Sequence, residues 1–137
     1  MSYLFGNATT TVDDKGRLSV PAIFRNAIDQ KIRDKLFLTL GHDKSFYGYP
    51  LDEWEKIIER NRLKNYDDPQ IRLRIRQMAM NFDVVKIDKQ GRIYLPAHLM
   101  KKAGIQKEIL ILGTVDKMEF WNPQTYQSYI SKNLDAT

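Results

Sequence analysis

Cysteine is absent from the 137 residues. No disulfide framework and no thiolate metal site can form, so the chain must hold together by packing alone, and a reducing cytosol suits it. Histidine occurs only at His42 and His98, which leaves almost no material for a nucleophile and base pair or for a zinc site. His42 falls in a turn and His98 on a short helix, and both read as surface or packing residues. None of the 7 glycines belongs to a P-loop or a dinucleotide-binding fingerprint. No apolar run approaches the ~18 residues of a membrane span, and Met1 to Asn7 has no basic region ahead of an apolar core. The acidic residues stand at turns and helix starts, where capping accounts for them. These absences predict a soluble, cytoplasmic protein that is not an enzyme and has no cofactor, no metal site, no membrane partner and no small-molecule substrate.

What the chain does have is a surplus of positive charge and a repeat. Lysine and arginine number 22 against 17 aspartates and glutamates, for a net charge of +5, a balance that favours polyanionic partners. Val12 to Ala22 reads Val-Asp-Asp-Lys-Gly-Arg-Leu-Ser-Val-Pro-Ala, and Ile87 to Ala97 reads Ile-Asp-Lys-Gln-Gly-Arg-Ile-Tyr-Leu-Pro-Ala. Asp13, Gly16, Arg17, Pro21 and Ala22 recur as Asp88, Gly91, Arg92, Pro96 and Ala97, each 75 positions on. Residue types at ordinary abundance would match by chance less than once in such a window. The chain is an internal duplication.

Each copy has a physical reading. Asp at the first position and Gly at the fourth suit a type I turn with the glycine in the left-handed region, which predicts a tight hairpin. On the outgoing strand Leu18 and Val20 share one face, with Arg17 and Ser19 on the other. Ile93 and Leu95 alternate with Arg92 and Tyr94 in the same way. Each arginine therefore leaves its turn facing away from the core. Pro21 and Pro96 then stop the strand and suit the first turn of a short helix. The repeated unit is strand, turn, strand, short helix, too small to stand alone. Two units packed on each other predict an α+β fold with a mainly β core and pseudo-twofold symmetry.

The remaining elements follow in order. Pro21 to Ile28 predicts a helix with Ile23, Phe24, Ala27 and Ile28 on one stripe. Leu36 to Leu40 and Phe46 to Tyr49 predict strands, and Pro50 starts a helix whose acidic first turn and basic end suit its dipole. The repeat continues here at an offset of 72, with Gly113 answering Gly41, Trp121 answering Tyr49 and Tyr126 answering Trp54. Asn122 and Pro123 supply the cap and first turn of the last helix, and the last four or five residues are expected to fray. One helix, from Asp68 to about Met80, stands outside the repeat. The halves are thus 1–64 and 82–137, bridged by 65–81. Arg60, Arg62, Lys64, Arg72, Arg74 and Arg76 around the bridge read as a solvated, partly ion-paired surface.

Chemistry concentrates at the two basic turns. Lys15 and Arg17 in one copy, and Lys89 and Arg92 in the other, are offered on paired hairpins that fit a phosphate backbone or a major groove. The spacing leaves a structural alternative open, in which Asp13 simply holds Arg17 and Asp88 holds Arg92. A carboxylate that orients an arginine still leaves some of its donors free.

At these residues, Asp-Asp-Lys-Gly-Arg-Leu-Ser-Val-Pro and Asp-Lys-Gln-Gly-Arg-Ile-Tyr-Leu-Pro with an extra helix between them, the chain closely resembles the MraZ family, bacterial regulators built of two AbrB-like (SpoVT/AbrB) halves. The resemblance implies a swapped-hairpin β-barrel shared by the halves, with peripheral helices, assembled into a ring-shaped homo-oligomer. It further implies a nucleoid-associated regulator of double-stranded DNA that binds tandem repeats in the promoter of its own cell-division and cell-wall operon and represses it. Carried over, Arg17 and Arg92 match the motif arginines, and Lys15 the basic residue of the first turn. Gln90 stands in the second copy where Lys15 stands in the first, with Lys89 beside it. One rival is an antitoxin-like AbrB-fold module whose main partner is a protein, and another is an enzyme on a small β-barrel, for which site residues are lacking.

Overall fold

A computed structural model of the chain describes residues 3–134. The fraying expected of the last residues falls mostly on 135–137, outside that range. The first half contributes β1 (Leu4–Thr11), β2 (Arg17–Ser19), α1 (Ala22–Arg25), β3 (Lys35–Leu40), β4 (Phe46–Tyr49) and α2 (Leu51–Arg62). The bridge is α3 (Pro69–Met80), and the second half repeats the order as β5 (Asp83–Lys86), β6 (Arg92–Tyr94), α4 (Ala97–Lys102), β7 (Glu108–Val115), β8 (Met118–Trp121) and α5 (Pro123–Asn133). The class is α+β with a mainly antiparallel β core.

Six strands form one antiparallel sheet in the order β1-β7-β8-β4-β3-β5, and β2 and β6 form a separate ribbon. Exchanging each strand for its repeat partner turns that order into its own reverse. A pseudo-dyad therefore runs between β4 and β8. The outer pairs exchange strands between halves: β1 pairs with β7, and β5 pairs with β3. No closed barrel is found among the described residues, since β1 and β5 stand at opposite ends of the ladder.

Two expectations change with this pairing. The tight hairpin exists only as a turn, because β1 and β2 leave it for different sheets. Each strand buries its apolar face against the other half, which offers more surface than its own three-residue neighbour could. The repeat offset also shifts on one strand. Phe37 pairs with Val84 and Tyr49, and Leu110 pairs with Thr9 and Trp121, which makes β3 and β7 equivalent at 73 rather than 72. The glycine match that suggested 72 is misleading there: Gly41 lies beyond β3, whereas Gly113 is inside β7, paired with Gly6 and Met118.

One core cluster lies between the sheet and the ribbon. Leu36, Leu38, Ile109, Ile111, Met118 and Phe120 from the sheet meet Leu18, Val20, Ile93 and Leu95 from the ribbon strands and their continuations, with Phe24 and Leu99 from the short helices. Phe46 stacks on Phe120 at 4.7 Å between ring centroids. Alternate residues face the other side of the sheet, where α2 and α3 cover β3 and β4 while α5 covers β7. Trp54 packs against Phe37 and Tyr49 there, and Trp121 against Tyr126, the repeat pairs seen in the sequence.

The capping signals hold. The Asp68 side chain accepts from the Gln70 N–H, and the Asn122 side chain from the Gln124 and Thr125 N–H groups, satisfying donors a helix start leaves open. The first short helix does not extend as far as its stripe predicted. It ends at Arg25, and Ile23 is 58% exposed, so within the helix Phe24 alone is buried, while Ile28 reaches the core from beyond its end. No helix among the described residues is long and apolar enough to cross a membrane.

Candidate nucleic-acid interface

The two turns are near copies of one another. Gly16 N–H donates to the Asp13 carbonyl at 3.0 Å, and Asp13 N–H to the Arg17 carbonyl at 2.9 Å; the second turn repeats this with Gly91, Asp88 and Arg92 at 2.9 Å for both bonds. Gly16 and Gly91 adopt φ of 82° and 79°, the left-handed conformation that glycine tolerates without strain. The aspartate then locks the turn from inside. Asp13 Oδ1 accepts from the Lys15 and Arg17 N–H groups at 2.9 and 2.8 Å, and Asp88 Oδ1 accepts from Gln90 and Arg92 at the same distances.

The other carboxylate oxygen takes the arginine. Arg17 Nε donates to Asp13 Oδ2 at 2.8 Å, and Arg92 Nε to Asp88 Oδ2 at 3.1 Å. The ion pair left open by the spacing is therefore real in both copies. It engages Nε, so the terminal amino groups of each guanidinium are not spent on the aspartate. The Arg17 N–H bond, ahead of the side-chain bond, holds the Asp13 carboxyl below its ordinary value, and the Arg92 N–H does the same for Asp88. The bond to Asp13 in turn raises the Arg17 guanidinium. Both carboxylates stay charged at any physiological pH.

The ribbon brings the two turns into register. Leu18 pairs with Ile93, Arg17 with Tyr94 and Ser19 with Arg92. The pseudo-dyad passes through the Leu18–Ile93 pair, and both side chains are buried at 0% and 1% exposure. Because side chains alternate along a strand, Arg17, Ser19, Arg92 and Tyr94 share the face turned away from the core. Arg17 and Arg92 are diagonal neighbours on that face, with backbones about 7–8 Å apart by the spacing of such ladders. Two further bonds, Val20 N–H to the Gly91 carbonyl and Leu95 N–H to the Gly16 carbonyl, tie each turn to the opposite strand. Lys15 and Lys89 are exposed at the turn tips.

Two contributors were not singled out from the sequence. Tyr94, 60% exposed, stands opposite Arg17, and strand alternation alone could have placed it there. Arg25 could not have been found that way. Its Nε donates to the Val20 carbonyl at 2.9 Å, and a methyl group added to Gly91 would stand 2.6 Å from that same nitrogen. A first-half cation thus lies against the second turn, the one with Gln90 in place of a lysine. The bridge arginines are mostly accounted for by structure: Arg72 donates to the Tyr66 and Asp67 carbonyls and Arg74 to those of Leu40 and Gly41, while Arg62 pairs with Glu59. No cluster of metal-ligating side chains occurs among the described residues.

Comparison with known proteins adds the family context. The family model described as "MraZ protein, putative antitoxin-like" matches residues 4–74 and 78–137. A protein of Rhodococcus opacus named transcriptional regulator MraZ is 36% identical over 128 residues, 93% of this chain and 87% of its own length. Proteins of the same name from Thermomicrobium roseum and Mycolicibacterium smegmatis are 36% and 37% identical, covering 88% and 90% of this chain and 82% and 84% of theirs.

Proposed function

Since the chain belongs to the MraZ family, we propose that it is a DNA-binding transcriptional regulator whose twinned turns make the contact with double-stranded DNA. Lys15 and Lys89, with the exposed turn amides, hold phosphates, and Arg17 and Arg92 reach base edges, where a planar fork can grip guanine O6 and N7. One observation carries this reading: both arginines are anchored at Nε by their own turn's aspartate and stand on one outward face of a two-stranded ribbon. Such a ribbon fits the width of a major groove.

The finer reading follows the resemblance. The halves, 1–64 and 82–137 joined by the 65–81 bridge, pack ladder against ribbon as a swapped-hairpin barrel. Several copies form a ring on the nucleoid, bind tandem repeats in the promoter of their own cell-division and cell-wall operon, and repress it. Weak single contacts then add through effective concentration when repeat spacing matches subunit spacing. The antitoxin-like alternative calls for a tail that wraps a partner protein, whereas α5 folds back on β7 and stacks Tyr126 and Tyr129 against Trp121.

A gel-shift titration of the DNA upstream of this gene, run beside native mass spectrometry, tests the proposal. Retardation that requires the repeats, by a species of several subunits, is expected. A chain that stays monomeric and leaves that DNA unretarded refutes it.

A further inference from the structure

The side of the sheet remote from the ribbon holds a cavity of about 290 Å3 that the DNA-binding reading does not use. Its floor is Tyr47 and Tyr49 of β4, and its walls come from the C-terminal end of α2, the middle of α3 and the turn between β7 and β8. These segments are far apart in sequence, and the charges they bring are nearly all of one sign. Arg60, Lys64, Arg74 and Lys117 line the cavity against a single carboxylate, Asp116.

Asp116 is already taken, since Lys117 Nζ lies 3.2 Å from its Oδ1 while sitting over the Tyr47 ring. Arg60 and Lys64 form no ion pair among the described residues. Arg74 gives hydrogen bonds to the Leu40 and Gly41 carbonyls, which leave its positive charge uncompensated. Three cations thus converge on a partly enclosed space with aromatic and aliphatic walls, where Ile57 and Met78 are also exposed to it. Cations lining one such space favour a bound anion.

We propose that this cleft binds a small organophosphate, a dianionic phosphate group carried on a compact planar or apolar body. Arg60 and Lys64 close on the phosphate, Arg74 neutralises it from below, and the tyrosines take the body. The Tyr49 hydroxyl, which has no hydrogen-bond partner among the described residues, donates to the phosphate. Burial pushes its ionisation far above neutrality, so it remains a donor throughout the physiological range. Asn61 stands on the wall shared with a neighbouring apolar groove lined by Trp54, Ile58 and Phe82, and its buried Oδ1, an acceptor without a partner, is open to a donor on the organic body rather than to the phosphate. The site goes beyond the expectation that the chain takes no small molecule. It is also distinct from the turn arginines, which face away from the opposite side of the sheet.

Isothermal titration of the full chain with phenyl phosphate, and with inorganic phosphate for comparison, at physiological ionic strength tests the assignment. Saturable one-site binding of phenyl phosphate is expected, tighter than inorganic phosphate. The Arg60→Ala/Lys64→Ala double variant, altered only at exposed positions in the last turn of α2 and just beyond it, should weaken it roughly tenfold or more, Tyr49→Phe should weaken it measurably, and Arg17→Ala should leave it unchanged. Absence of saturable binding to the native chain overturns the proposal. So does binding that survives the double variant or disappears with Arg17→Ala. If the double variant lowers affinity for a promoter duplex as much as for phenyl phosphate, the cleft is a DNA-backbone surface and the proposal fails while the DNA-binding reading stands.

Discussion

Replacing Arg17 by alanine separates the two jobs this residue could have. The turn does not depend on the guanidinium, because Asp13 Oδ1 is filled by the Lys15 and Arg17 N–H groups, which the substitution preserves. Circular dichroism and the melting temperature of Arg17→Ala should therefore match the native chain. DNA binding should not. A bidentate arginine–guanine contact accounts for roughly tenfold to a hundredfold in affinity, and Arg17→Lys, which keeps the charge and loses the fork, should recover little of it. Salt dependence then separates base contacts from phosphate contacts. If Lys15 and Lys89 are the phosphate partners and the arginines read bases, two neutralised phosphates per bound subunit give a slope of log affinity against log salt near about −1.8. That is roughly a 12-fold loss between 50 and 200 mM salt, whereas four phosphate contacts would give about −3.6 and a loss of roughly 150-fold. Fluorescence anisotropy with a promoter duplex across that salt range measures both quantities. Native affinity in Arg17→Ala refutes the interface, a collapsed melting temperature shows that the ion pair is structural, and a slope near the larger value moves the arginines onto phosphates.

Other substitutions probe the scaffold and the turns. Ile93→Ala empties the buried site where the pseudo-dyad crosses the ribbon and should cost about 2–5 kcal/mol, read as a drop on the order of 10 °C in thermal melting; a change under a degree or two would mean the ribbon is not part of the core. Gly16→Ala, strained by its φ of 82° but with open space around it, should cost about 1 kcal/mol. Gly91→Ala should cost more, since the new methyl displaces Arg25, and equal melting temperatures for the two would contradict the Arg25 placement. The carboxyls of Asp13 and Asp88 sit below their usual 3.8, so their contribution to the turns is complete above that value and is lost as pH falls through the lowered native values. Carbon-13 titration of the two carboxyls should show both midpoints under 3.8, and a midpoint at or above it in either one would break the turn geometry described.

Much of this protein could be read locally. A turn of Asp-x-x-Gly-Arg is closed by bonds among five consecutive residues, so the turn, the glycine conformation and the arginine's outward direction followed from the text of the motif, whereas the hold of Asp13 on Arg17 and of Asp88 on Arg92 did not. The caps at Asp68 and Asn122 and the prolines beside them are equally local, and the duplication was visible as plain repetition. Tertiary structure alone decided which strands meet. Nothing within β1 or β5 names its partner, because a half-buried strand of Thr and Val pairs with whichever edge completes the core, and here that edge belongs to the other half. The same nonlocal packing set the offset of 73, where alternation of burial overruled a matching glycine. It left Ile23 at the surface and drew Arg25 to the far turn. It also gathered Arg60, Lys64, Arg74 and Lys117 around two tyrosines, since cations from three separate segments become neighbours only after the sheet and its helices have packed.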